Sequence, residues 1–297
     1  MITHGNAVRP LLWGAAIVIA AASLYPALAT PHPALTEPRA GKVFFTPHRA
    51  VYDLKLARSR GTRGIDAVRG RILYDFSGNS CEGYQLQFRQ VSEIDSGEGK
   101  STMSDLRSNT WEDAGATKFR FSSQNLLDEQ KADSVDGHAD RKAKTVTVSL
   151  SKPKDEKFAI PSTVVFPTEH MRRIIEAARA GKSLLEFPVF DGSENGQKVY
   201  NTLTVIGRAI APGEKPPTDA TASQPILAKL TRWPVTVSYF EEESARQQQS
   251  GEQTPTYAIS FELYENGISR ALMLNYSDFS ISGEMTSLDI KNSKPCP

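Results

Sequence analysis

After about residue 47, apolar and polar residues alternate with a period of two over most of the chain, the period at which one face of a β-strand is buried and the other wetted. In Val51-Tyr52-Asp53-Leu54-Lys55-Leu56, residues Tyr52, Leu54 and Leu56 share one face. Ile72, Tyr74 and Phe76 repeat the pattern, Ser77-Gly78-Asn79-Ser80 predicts a turn, and Tyr84, Leu86 and Phe88 resume it. Short strands are predicted at 100–111, 119–121 and 145–150, with Asp113-Ala114-Gly115 and Val135-Asp136-Gly137-His138 as polar turns between them. Later strands are predicted at 184–190 and 199–206, around a wide turn at 191–196, and at 226–240. Tyr257, Ile259, Phe261 and Leu263 then alternate up to Asn266-Gly267, a strong hairpin signal, with 268–276 as the partner strand and a final strand from Phe279 onward. Strands at this spacing, joined by polar turns, predict an antiparallel meander.

One stretch breaks the period. Between Thr168, a plausible N-cap, and Gly181, suited to the left-handed position that ends a helix, Met171, Ile174, Ile175 and Ala178 fall on one helical face. Arg172, Arg173 and Glu176 occupy the other face, so the helix is expected to lie across the sheet with its apolar stripe inward. Polar stretches at 211–224 and 241–253 interrupt the strands without changing their pattern, and one domain is expected over 47–297.

The first 29 residues carry the parts of a secretory signal: Arg9, an apolar run from Leu11 to Leu24, and Ala27-Leu28-Ala29 as a small-x-small cleavage site. The run holds Gly14 and ends at Tyr25-Pro26, short of the roughly 20 residues a spanning helix needs. A mature chain beginning near Thr30, with residues 30–46 as an extended lead-in, is therefore expected to be exported to an oxidising space. With 35 Lys+Arg against 34 Asp+Glu, the charge balance gives no electrostatic footprint for nucleic acid. A hydrophobic content of 39% fits a globular protein with a real core.

Candidate chemistry is sparse. Gly78-Asn79-Ser80-Cys81-Glu82-Gly83 misses the Gly-x-Ser-x-Gly spacing of a nucleophile elbow by one residue, and no strand-to-helix crossing follows. Gly181-Lys182-Ser183 has Glu176 where a phosphate-binding loop needs its first glycine, and the helix precedes the triplet. His32, His48, His138 and His170 are too dispersed for a metal set; His170, near the helix start, reads as a surface or capping residue. Asp128, Glu129, Asp133, Asp136 and Asp140 lack the spacing of a calcium loop and read as solvated turns. No metal, cofactor or catalytic residue is predicted. The two cysteines, Cys81 and Cys296, have no Cys-x-x-Cys or cationic setting that would lower a thiol pKa, which favours a structural over a reactive role. If paired, they would close a loop worth about 5 kcal/mol of unfolded-state entropy. The strand aromatics Phe76, Phe88, Phe121, Tyr239 and Phe261 read first as core, and second as the wall of a concave apolar surface able to take a lipid or an apolar peptide.

Several stretches resemble the EipB-like cell-envelope integrity proteins of alphaproteobacteria: Gly78-Asn79-Ser80-Cys81-Glu82-Gly83-Tyr84, Asn109-Thr110-Trp111-Glu112, Phe119-Arg120-Phe121, Phe166-Pro167-Thr168-Glu169-His170, Phe190-Asp191-Gly192-Ser193, and Leu263-Tyr264-Glu265-Asn266-Gly267 through Asn275-Tyr276-Ser277-Asp278-Phe279. The last departs slightly from the family's Asp-Tyr-Gly-Asp-Phe form. The resemblance implies a mainly β periplasmic protein, a single antiparallel β-spiral or open barrel wound around one main helix and similar in shape to lipoprotein carriers. It also implies a disulfide between Cys81 and Cys296. In function it implies a non-enzymatic, monomeric protein that maintains the envelope through contacts with envelope proteins, a tetratricopeptide-repeat protein among them. The concave apolar face suggests the alternative of a carrier for a lipid or lipoprotein acyl chain.

Overall fold

A computed structural model of the chain describes residues 42–297 apart from 61–64, 98, 216, 218, 220–223, 242–253, 293–295 and 297. The expected signal segment, most of the lead-in and most of the second polar loop lie outside the described residues. The described chain is mainly β, with one antiparallel sheet of fourteen strands that does not close. Strands β1 (His48–Ser59) and β14 (Phe279–Ile290) pair at its middle, so the two ends of the described chain meet there. To one side run β2 (Ala67–Asn79), β3 (Gly83–Asp95), β4 (Ser101–Glu112), β5 (Lys118–Leu127), β6 (Gln130–Arg141), β7 (Thr145–Lys152) and β8 (Glu156–Pro161). To the other run β13 (Ser269–Asn275), β12 (Tyr257–Tyr264), β11 (Arg232–Glu241), β10 (Tyr200–Ile206) and β9 (Leu184–Val189). Between the two outermost strands the chain makes helix α1 (Pro167–Arg179), and just before it Val165 forms a parallel bridge to Val189 of β9.

The alternation is obeyed where burial demands it. Ala50, Tyr52 and Leu54 of β1 are buried, and Val146, Val148 and Leu150 of β7 likewise. Ile174, Ile175, Ala177 and Ala178 of α1 pack with Phe76, Val235, Val237 and Phe261. Complete burial of each isoleucine contributes about 1.5–3 kcal/mol. The helix ends as predicted: Gly181 has φ 71°, and the Lys182 N–H donates to the Ala177 carbonyl at 2.9 Å, the Gly181 N–H to that of Ala178 at 3.1 Å.

The structure departs from several expectations. Val135-Asp136-Gly137-His138 is the middle of β6: Val135 and Ala139 point into the core, and Gly137 shares their face because a Cβ there would meet Leu150 and the Phe121 ring within 3 Å. The turn lies at Asp128 and Glu129, both at positive φ in a two-residue hairpin, while Asp133, Asp136 and Asp140 sit on β6. β8 was not anticipated, and the 226–240 strand begins only at Arg232, after the short helix α2 (Pro225–Ala228) that buries Leu227. Val43 and Phe45, placed in the lead-in by the sequence, are buried in the core. Phe45 lies on the Asn266-Gly267 turn, where a Cβ on Gly267 would fall 2.3 Å from its ring, and the Thr46 N–H donates to the Asn266 carbonyl at 2.9 Å. Within the polar stretch after Ala211, Asp219 pairs with Arg270 at 2.5 Å; Arg270 also pairs with Glu262 at 2.5 Å, and Glu262 with Arg232 at 2.7 Å.

Cys81, in the β2–β3 turn, is bonded to Cys296, with 5.8 Å between their Cα atoms and 215 residues between them in sequence. Asn79 shapes that turn, its side-chain oxygen accepting from the N–H groups of Cys81 at 2.9 Å and Glu82 at 2.8 Å. Unfolding in urea with and without reductant is expected to show a loss of about 2–5 kcal/mol on reduction; the Cys81→Ser/Cys296→Ser double variant is expected to match the reduced protein and to be indifferent to reductant.

Candidate functional site

The inner face of the sheet is only partly filled by α1. Beside the helix lies a cavity of about 400 Å³, within the range of roughly 300–1,000 Å³ found for small-ligand sites. Its walls come from opposite halves of the sheet. β2 and β3 contribute Tyr74, Phe76, Leu86 and Phe88; β11, β12 and β13 contribute Tyr239, Ile259, Phe261 and Leu272; α1 contributes Met171 and Ile174. Of the aromatics singled out in sequence, Phe76, Phe88, Tyr239 and Phe261 line this cavity. Phe121 does not: it is buried in a second core, stacked on Phe119 and edge-on to Phe190. Neither cysteine lines the cavity, so the disulfide closes the chain without entering the site.

Helix α1 is aimed by a residue distant in sequence. Thr168 is not the N-cap; Phe166 holds that position, with Pro167 as the first helical residue and no capping side chain of its own. The free amides instead donate to the Glu112 carboxylate at the end of β4, Thr168 N–H at 2.7 Å and Glu169 N–H at 2.8 Å. A carboxylate at this point also meets the positive end of the helix dipole. Burial raises the Glu112 carboxyl to about 7, against the pull of the two amides. Glu169 is itself buried, between Arg141 at 3.0 Å and Arg173 at 2.5 Å.

The polar lining is as informative as the apolar one. His170 is neither a surface nor a capping residue: it is buried, lines the cavity, packs edge-on against Phe187, and its Nε2 has no hydrogen-bond partner. Burial, with Arg173 adding to it, lowers its pKa to about 4. His48, stacked on Tyr74, donates its Nδ1–H to the Thr46 carbonyl at 2.7 Å, and burial lowers its pKa too. Near Asp191 a tyrosine group forms one end of the wall: Tyr239 and Tyr257 stack at 4.5 Å, and Tyr276, half exposed, stacks on Phe279. Asp191 is the carboxylic acid of the lining, and no lysine or arginine is among the lining residues. Sequence reasoning gave Asp191, Tyr257 and Ala258 no site role; they come together only as lining of one cavity, to which the segment after β9 and strand β12 both contribute.

Two outcomes are expected. Glu112→Ala leaves two amides at a buried helix start without acceptors and is expected to cost about 2–3 kcal/mol in denaturant unfolding. For His170, the native pKa of about 4 lies below the unfolded value of 6.5, so its contribution is complete above pH 6.5 and is lost as pH falls toward 4. The stability of the wild type relative to His170→Leu is therefore expected to fall by up to roughly 3 kcal/mol from pH 7.5 to 4, in unfolding curves recorded across that range.

Comparison with known proteins places this architecture. The EipB-like family profile matches residues 39–292. The cell envelope integrity protein EipB of Brucella abortus (strain 2308) is 38% identical over 261 residues, which cover 86% of this chain and 90% of that protein. A crystal structure from Brucella abortus, described as a beta-barrel-like protein of a domain of unknown function, superposes with a TM-score of 0.76 at 36% identity, covering 84% of this chain and all of that one. By the span of the family match and by the identity to its Brucella relative, the chain belongs to the EipB-like family.

Proposed function

We propose that this protein supports the integrity of the cell envelope, in the periplasm, by holding a single acyl chain of a lipid or lipoprotein in the cavity between α1 and the two halves of the sheet. The envelope role follows that of the Brucella abortus relative, a cell envelope integrity protein, and the exported location follows the signal pattern of residues 1–29. One observation carries the ligand: a roughly 400 Å³ cavity walled by Phe76, Leu86, Phe88, Met171, Phe261 and Leu272, whose apolar surface would otherwise face water. Moving a methylene from water into such a wall is worth about 0.8 kcal/mol, so a chain of eight or more carbons gains enough to offset the cost of its immobilisation. A purely scaffolding role, with a tetratricopeptide-repeat partner, rests on the family resemblance alone.

Native mass spectrometry of protein purified from the cell envelope, together with titration of a neutral fluorescent acyl ester, tests the reading. One acyl chain per protein is expected. Ala258 lines the cavity from β12, and Ala258→Trp is expected to weaken probe binding at least about tenfold by filling the space, with an unchanged far-UV spectrum. No bound lipid and no probe uptake by the wild type would overturn it.

A further inference from the structure

The Phe190-Asp191-Gly192-Ser193 motif, which no catalytic reading absorbs, holds a carboxylate against the cavity. Phe190 is fully buried and edge-on to both Phe119 and Phe121, and it is tied by its N–H to the Val165 carbonyl at 3.0 Å. Gly192 has φ 68° and lies so close to Phe121 that a Cβ would fall 2.3 Å from the ring. With both neighbours immobilised, Asp191 has little freedom. One of its oxygens accepts from the Ser193 N–H at 2.9 Å.

Among the described residues no cation pairs with Asp191. The nearby Lys198 is engaged by Glu194 at 2.6 Å and Glu241 at 3.0 Å. The cavity itself offers no lysine or arginine, and its two histidines are held neutral at pH 7 by burial. Burial also raises the Asp191 carboxyl, with Glu194 adding to it. A partly buried carboxylate without a counter-charge is costly, and a cation from outside relieves that cost. The wall around it suits such a cation: Tyr239, Tyr257 and Tyr276 line the same cavity and present aromatic surface and hydroxyls. Ammonium groups are attracted to such surface. An anionic head finds no lysine or arginine in the lining to pair with.

We propose that the cavity takes an amphiphile with a cationic head, an ammonium-bearing lipid or long-chain amine, with Asp191 as its counter-ion and Tyr239, Tyr257 and Tyr276 beside the head while the chain lies along Phe76, Phe88 and Phe261. This rests on the acyl-binding reading and specifies its ligand class.

The test is displacement of the neutral fluorescent acyl ester by dodecyltrimethylammonium and by laurate, each below its micelle threshold, at pH 7.5. Wild-type protein is expected to bind the ammonium at least about tenfold more tightly than the carboxylate. In Asp191→Asn, where the side-chain oxygen can still accept from Ser193, that ratio is expected to fall toward one. Equal affinities or a laurate preference in the wild type overturns the inference, as does an undiminished ratio in a folded Asp191→Asn; should that variant not fold, the wild-type ratio decides. Binding of the neutral ester without charge preference sinks this inference alone, whereas failure of every probe, the neutral ester included, sinks the acyl-binding reading with it.

Discussion

A single sheet of fourteen strands has one inner face to cover and very little to cover it with. Strands about 4.8 Å apart make that face roughly 60 Å wide, whereas a thirteen-residue helix is about 20 Å long. The helix cannot shield it alone, so the sheet must bend until its two halves face each other. Where they meet closely, as at Phe119, Phe121, Phe166 and Phe190, they form core. Where α1 holds them apart, between Phe76 and Phe88 on one side and Tyr239 and Phe261 on the other, they leave the cavity.

That geometry makes the placement of α1 decisive, and it is fixed from outside the helix. Glu112 binds its first amides, Arg141 and Arg173 flank Glu169, and Gly181 ends it in a left-handed turn. The Cys81–Cys296 bond acts elsewhere, on the path of the chain, joining the end of β2 to the tail beyond β14. It holds together the middle of the sheet, where β14, β1 and β2 lie side by side. Cavity and crosslink are thus separate devices: one sets what the protein can hold, the other how firmly the shape is kept.

Electrostatics narrows the cavity further. Burial keeps His48 and His170 uncharged, Arg141 and Arg173 are spent on Glu169, and Asp191 is the acidic side chain of the lining. An apolar volume with an acidic, tyrosine-rich end is a more selective feature than an apolar volume alone.

By itself the sequence determined most of the strands, the main helix, its glycine stop and the Asn266-Gly267 hairpin, because period-two and period-3.6 burial and positive-φ turns are local signals. It also pointed to four of the aromatics that line the cavity, since an inward face is legible from alternation. Its errors share one cause. Asp136-Gly137 has the composition of a turn, but Gly137 is there because Phe121 and Leu150, on neighbouring strands, leave no room for a Cβ. Thr168 looks like a cap, but the capping carboxylate is 56 residues earlier. Phe45 looks like lead-in until Gly267 is folded beneath it. Alternation says that Tyr239 and Phe121 both face inward; only the curvature of the sheet decides that one meets a cavity and the other a ring, and only the meeting of distant strands sets Asp191 beside Tyr257, because contacts across a bent sheet join residues that no local pattern relates.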